Sequence, residues 1–209
     1  MAADNRAMPV LWLGLIASAS YLATIFIDAP VAVAAPWKAS GIILFAVFAF
    51  LRGSPIGGAA LLASAAGDIA LALRPPVFEA GMGFFGLAHL LYIAAFASRI
   101  RKGGVDKSLA VSAVLVVAAS AALGAWFLPD MGALTAPGLT YQTIITIMVA
   151  TALISPAPML ARLGALVFMI SDTLIALGLY KHIAVPPGSV WIAYVAGQAM
   201  LAYALSSRQ

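Results

Sequence analysis

No cysteine occurs in the 209 residues, histidine occurs twice, and only 9% of the side chains are charged. The missing thiols exclude disulfides, thiolate nucleophiles and cysteine-ligated metals. His89 and His182 alone cannot supply a histidine-rich metal site, and no metal ligand set is assigned. So low a charge content cannot solvate the surface of a soluble domain, where about a quarter of residues are charged. Several catalytic signatures are missing as well: there is no G-x-S-x-G elbow, no H-E-x-x-H zinc pair and no P-loop. Gly81-Met82-Gly83-Phe84-Phe85-Gly86 does fit G-x-G-x-x-G, but no strand precedes it and it opens an apolar run, so close helix packing explains it better. The formal charge of +4 is not a nucleic-acid footprint, because most of it lies in short connections between apolar runs.

What is abundant is hydrocarbon: 64% of residues are hydrophobic and the mean hydropathy is +1.08. Apolar runs of about 17–25 residues, the length that crosses a bilayer, fall at Pro9–Ile27, Val31–Leu51, Ile56–Leu73, Phe78–Ser98, Ser108–Phe127, Ala133–Ile154, Pro158–Leu179 and Ser189–Ser206. The expected fold is therefore all-α, a polytopic bundle of eight transmembrane helices in one integral membrane domain over residues 1–209. Placing the odd-numbered connections outside leaves Arg6, Arg52, Arg99, Arg101, Lys102, Lys107, Arg162 and Arg208 on or near the inner side, with only Arg74 and Lys181 outside. The positive-inside rule then puts both termini in the cytoplasm, in what would be a bacterial inner membrane. Ala17-Ser18-Ala19 resembles a signal-peptidase site, but the apolar run continues to Ile27, longer than the core of a signal peptide, so the first helix is expected to stay.

Within these runs stand Lys38, Asp68, His89 and Asp172. A charge at the centre of a membrane helix costs roughly 2.5–3.5 kcal/mol even on lenient scales, so such residues usually face a polar interior with a task to perform. Their arrangement repeats. Ala66-Gly67-Asp68-Ile69-Ala70-Leu71 parallels Ile170-Ser171-Asp172-Thr173-Leu174-Ile175; Pro36-Trp37-Lys38 echoes Pro137 with Tyr141-Gln142 one helix earlier; and Phe85 to His89 echoes Tyr194 to Gln198 one helix later. Each half reads as a polar residue, an aspartate and a hydrogen-bonding residue on three successive helices. Two four-helix repeats over 9–98 and 108–206, in parallel orientation, would explain this.

At 1.5 Å of rise per residue, Lys38, Asp68, Asp172, Tyr141 and Tyr194 all fall roughly 8–12 Å below the outer end of their runs. His89 and Gln198 lie deeper. Convergence would make a polar chamber open to the outer side and floored by His89 and Gln198. Other readings stand beside this one. Lys38 could reach the outer interface along its aliphatic stem, and the aspartates could tie helices together. His89, Tyr141, Gln142, Tyr194 and Gln198 could make ordinary interhelical hydrogen bonds. Trp12, Trp37, Trp126 and Trp191 read as an interfacial belt. Ala66-Gly67-Asp68 has the glycine-aspartate element of intramembrane aspartyl proteases, but the rest of that pattern is missing.

Lys38, Gly67-Asp68, Gly83 to Phe85, Ala88-His89 with Tyr92, Tyr141, Gly164-Ala165 with Phe168, Ser171-Asp172, and Trp191, Tyr194 and Gln198 together resemble, in order and layout, the YhhN family of lysoplasmalogenases. The resemblance runs from the second apolar run to the last. It implies hydrolysis of the vinyl-ether bond of a lysoplasmalogen, or a related lyso-ether lipid, to a fatty aldehyde and a glycerophospho head group. Such a bond breaks when an acid protonates the alkene carbon and water captures the oxocarbenium ion, which suits two carboxyls in opposite protonation states. No cofactor is required. Asp68, paired with Lys38, is the expected ionised base and Asp172 the expected acid, with Lys38, His89, Tyr141, Tyr194 and Gln198 binding or positioning substrate and water; Lys38 could instead hold the lipid phosphate. The expected partners are a lysophospholipid substrate and membrane lipid, with no nucleic acid and no protein partner implied. The competing class is a proton-coupled transporter, since a buried Asp/Lys/His set along duplicated helices also describes a proton relay. A structural membrane subunit is a third.

Overall fold

A computed structural model describes residues 2–206 and is built from helices alone, with no strand among the described residues. Arg208 and the side chain of Arg6, both counted in the charge asymmetry, lie outside what is described. The helices are α1 (Ala2–Ser20), continued by a 3-10 turn at Tyr21–Ile25, α2 (Val31–Leu51), α3 (Pro55–Ala72), α4 (Phe78–Gly103), α5 (Ala110–Phe127), α6 (Thr135–Ile154), α7 (Met159–Lys181) and α8 (Ser189–Leu205). Among the described residues, seven segments are long and apolar enough to cross a membrane, and α8 is a shorter apolar helix. The chain is a multi-pass integral membrane protein.

The eight expected runs each become one helix, with shifted ends. Helix α4 carries on past Ser98 through Arg99, Arg101 and Lys102 to stop at Gly104, whose φ of 79° lies in the left-handed region that glycine adopts without penalty. Arginine and lysine in a last helical turn face the carbonyl end of the helix dipole, which favours that extension. Helix α3 begins with Pro55 in its first turn, where the absent N–H removes no helical bond.

Neighbours in sequence pack side by side from α1 to α4 and from α5 to α8, while α4 lies on α6 and α8 lies on α2 and α3. The core between them is filled by Ile42, Phe45, Phe48, Leu61, Phe96, Met148, Leu153, Phe168 and Leu201, all fully buried. Helices α7 and α8 meet at backbone contact: a Cβ placed on Gly197 would stand 2.9 Å from Phe168 N and 3.0 Å from Gly164 O. Small residues allow such approach where water supplies no hydrophobic drive between helices. By contrast α5 lies at the edge, with Val111, Val114 and Leu115 exposed, as suits a lipid-facing helix.

Ion pairs sort the connections into two sets. Arg74 pairs with Asp28 at 2.8 Å, and Lys181 with Asp130, so the first connection meets the third and the fifth meets the seventh, as expected for one face of a membrane. At the opposite end Arg162, almost wholly buried, pairs with Asp106 and donates to Ala157 O at 3.0 Å, and Arg99 donates to Leu205 O at 3.0 Å. The Asp106 carboxyl is held down at about 2, chiefly by the hydrogen bond from Arg162 and further by the Ser108 backbone N–H.

Candidate active site

Lys38, about two turns into α2, turns inward instead of toward the interface. Its Nζ lies 3.6 Å from Asp68 Oδ1 and 5.7 Å from the ring centre of Trp191, a face that attracts cations. Asp68 is buried on α3, and its other oxygen accepts a 2.7 Å hydrogen bond from the Tyr194 hydroxyl on α8. Gly67 beside it leaves room for the Phe85 ring, which a Cβ would meet at 2.6 Å.

Asp172 on α7 is the more open of the two carboxyls, 16% exposed against 2% for Asp68. Its Oδ2 accepts from the Tyr141 hydroxyl. His89 Nε2 lies 2.9 Å from that hydroxyl and 3.8 Å from the same carboxylate oxygen. With the phenol proton on the carboxylate, the imidazole must donate through Nε2–H, which fixes its tautomer. Nδ1 is buried and has no hydrogen-bond partner among the described residues. No lysine or arginine pairs with Asp172 among the described residues.

The two aspartates are thus held by matching helices. Asp68 is met from α2 by Lys38 and from α8 by Tyr194; Asp172 is met from α6 by Tyr141 and from α4 by His89. Each has one partner on the helix before it and one on the last helix of the other half.

Both line one cavity of about 730 Å³ of open space, together with Lys38, Tyr194, Trp191, Tyr21 and Ser171. Thr24, Ile25 and Gly188, at the end of the bundle carrying Asp28 and Lys181, also stand in its wall. A second space, about 850 Å³ and almost wholly apolar, runs between α3 and α4 on one side and α5, α6 and α7 on the other, and Asp172 stands in its wall too. The chamber floor differs from expectation. His89 and Gln198 border neither space. His89 stands behind Tyr141 with its ring against Phe168, 4.8 Å between centres, and Gln198 Oε1 accepts from Tyr92 OH at 2.8 Å deeper in the bundle.

Trp191 is not in an interfacial belt. It is buried, its Nε1 donates to Ser18 O at 2.7 Å, and its ring stands 4.9 Å from Tyr21 and 5.4 Å from Tyr194. Trp12 and Trp126 are exposed and keep the belt reading. The sequence did hold the signal for Trp191: it precedes Tyr194 by three residues and Gln198 by seven, which places all three on one helix face. Tyr92 carried a weaker one, three residues after His89 on α4. Gln142 is away from the aspartates, with its amide on Ser120 O at 2.5 Å.

The profile of the YhhN family matches residues 33–205, which include Lys38, Asp68, His89, Tyr141, Asp172, Trp191 and Tyr194 but not the cavity residues Tyr21, Thr24 and Ile25. Two curated proteins named lysoplasmalogenase, from Mycobacterium bovis and Mycobacterium tuberculosis, are each 34% identical over 180 residues, spanning 79% of this chain and 67% of theirs. No solved structure matches the chain. With a profile match running from α2 to the end of α8 and relatives this similar over two thirds of their length, the chain belongs to the YhhN family.

Proposed function

We propose that this protein hydrolyses the vinyl-ether bond of lysoplasmalogens, or of a closely related lyso-ether lipid, by acid/base catalysis between Asp68 and Asp172. The observation that carries the reading is two carboxyls facing one cavity in the membrane, only one of them paired with a lysine, in a chain similar to curated lysoplasmalogenases. In that reading Asp68, with Lys38 and Tyr194 on it, serves as the base, and Asp172, met by a phenol and an imidazole, serves as the acid.

The chemistry closes as a cycle. Asp172 gives its proton to the alkene carbon next to the ether carbon, leaving an oxocarbenium ion that the Asp68 carboxylate stabilises. Water adds to that ion and gives a proton to Asp68, forming the hemiacetal. The hemiacetal hydroxyl then returns a proton to Asp172 as the carbon–oxygen bond breaks, and Asp68 passes its proton to the departing glycerol oxygen. Fatty aldehyde and glycerophospho head group leave, and both carboxyls are reset. Tyr141 orients Asp172, and His89 orients Tyr141. Tyr194 orients Asp68, and Gln198 braces the α4–α8 contact through Tyr92.

The matching partners of the two aspartates, and the packing of α4 on α6 like that of α8 on α2, support an origin by duplication of a four-helix unit. The basic end of the bundle supports an inner-membrane orientation with cytoplasmic termini and a cavity open to the outer side.

Turnover by purified protein in detergent tests the function. Lysoplasmalogen, its alkyl-ether analogue and its ester analogue are offered together, and aldehyde should appear from the vinyl ether alone. Turnover of the ester and the vinyl ether at similar rates would overturn the mechanism. Activity found only across a sealed vesicle, as substrate or proton flux, would make the protein a transporter.

A further inference from the structure

We infer that the apolar groove beside Asp172 is the site of the substrate's single hydrocarbon chain, so that chain and head group part company at Asp172 with the scissile bond between them. This rests on the proposed vinyl-ether chemistry. The groove and the polar cavity share Leu71, Phe85, Asp172 and Ile175 in their walls, and Asp172 is the one charged residue of the groove. Asp68 and Lys38 border the polar cavity only. A lyso-ether lipid has the same division: one chain, then the vinyl ether, then glycerol and phosphate. Laid across the junction, its chain fills the groove, its phosphate points toward Lys38 and its alkene lies against Asp172.

The groove is finished as a hydrocarbon surface. Several of its polar side chains are turned onto protein partners: the Gln142 amide donates to Ser120 O at 2.5 Å, the Ser120 hydroxyl lies 2.6 Å from that of Thr146, and Thr173 donates to Met169 O at 2.8 Å. Hydrogen-bonding groups already satisfied inside the protein present no penalty to an apolar occupant. The remainder of the lining is supplied by side chains such as Met82, Leu123, Phe127 and Met131. The neighbourhood of Asp172 therefore selects chain length, and it places Asp172 rather than Asp68 at the alkene.

Two measurements test this. The first places an aliphatic diazirine at the chain end of a non-hydrolysable alkyl lysophospholipid and maps the photolabel on the intact protein in detergent. Label on Leu123, Met131 and their neighbours is expected, removed by excess lyso-ether lipid. Label on Leu22 and Ile25 of the polar cavity, or spread over the exposed faces of α1 and α5, would overturn the inference, as would competition by two-chain phospholipid alone, which marks a site for bulk lipid. The second measures KM for water-soluble monomeric vinyl-ether lysolipids of increasing chain length. Each methylene moved from water into the groove should lower KM by up to about fourfold, until the groove is full. Ala176→Phe, in the groove wall one turn beyond Asp172, should shift the optimum to shorter chains and raise KM for long ones at least tenfold relative to the shortest vinyl ether. Ala176→Leu should do the same to a smaller degree and guards against misfolding of the larger variant. Equal KM across chain lengths in the wild type, with vinyl ethers still cleaved, would overturn the groove assignment while leaving the proposed chemistry standing. Cleavage of no vinyl ether of any length, with the photolabel in the groove, would sustain a lipid-chain site and end the catalytic reading.

Discussion

Replacing Asp172 with asparagine removes one proton and almost nothing else. The amide is isosteric with the carboxyl, and its oxygen still accepts the Tyr141 hydroxyl. His89 keeps its 2.9 Å contact with Tyr141, so no buried group is orphaned, and Asp172 itself stands partly open to a cavity. Folding stability should change by less than about 1 kcal/mol, within the range of a single hydrogen bond. Catalysis should change far more. A positioned general acid contributes about 10²–10⁴-fold, equivalent to roughly 2.7–5.5 kcal/mol of barrier. The assay is aldehyde release from lysoplasmalogen in detergent, with thermal unfolding followed on the same sample. KM should move little, because the head group and chain contact other residues. Asp68→Asn should show a similar loss, and the double variant should be no more than several-fold slower than the worse single one, because groups acting in one step are not additive. An Asp172→Asn protein that unfolds at the wild-type temperature and turns over within threefold of wild type would refute the two-carboxylate reasoning.

Lys38→Met strands the buried Asp68 carboxylate beside Tyr194 and should lower stability by roughly 3–5 kcal/mol; adding Asp68→Asn should restore the thermal midpoint but not activity. Gly197→Ala pushes a methyl against backbone atoms at 2.9 and 3.0 Å and should cost about 1–3 kcal/mol, whereas Gly83→Ala, with nothing within 4 Å, should be neutral or stabilising by the same thermal assay. A cysteine in place of exposed Val105 should resist membrane-impermeant maleimide in intact cells, and one replacing exposed Phe26 should label; the reverse pattern would invert the topology. The Asp106 carboxyl sits at about 2 in the folded chain, below its ordinary value near 4, so its stabilising pair with Arg162 is complete above pH 4 and is lost as pH falls toward 2. Asp106→Asn should therefore melt below wild type at neutral pH, with the two converging across that acid window.

Much of this molecule was legible along the chain because a bilayer is a severe solvent. Twenty apolar residues must become a helix to satisfy their own backbone there, so the eight helices followed from hydropathy, while at Gly104 capping and dipole effects carried α4 past its apolar run. The same severity made Lys38, Asp68, His89 and Asp172 conspicuous. Rise per residue suggested a shared depth, and both aspartates do face one cavity. Trp191 was harder to place, because a tryptophan near a helix end is common at the interface and only its helical phase with Tyr194 and Gln198 marks the inward face.

Sequence alone therefore determined the helices, their order and the ionisable residues among them, since each depends on local composition and on the cost of exposing backbone or charge to hydrocarbon. Tertiary packing alone decided which partner each residue has. Lys38 meets Asp68, Tyr194 reaches across from α8 to the same carboxyl, and Tyr141 and His89 take Asp172. It also withdrew His89 and Gln198 from the cavity floor and set Asp172 where a polar chamber meets an apolar groove. These outcomes depend on how far each helix is rotated about its axis and how closely it approaches its neighbours. Those are set by contacts such as Gly164 on Gly197, between residues far apart in the chain, and an apolar run does not record its own rotation.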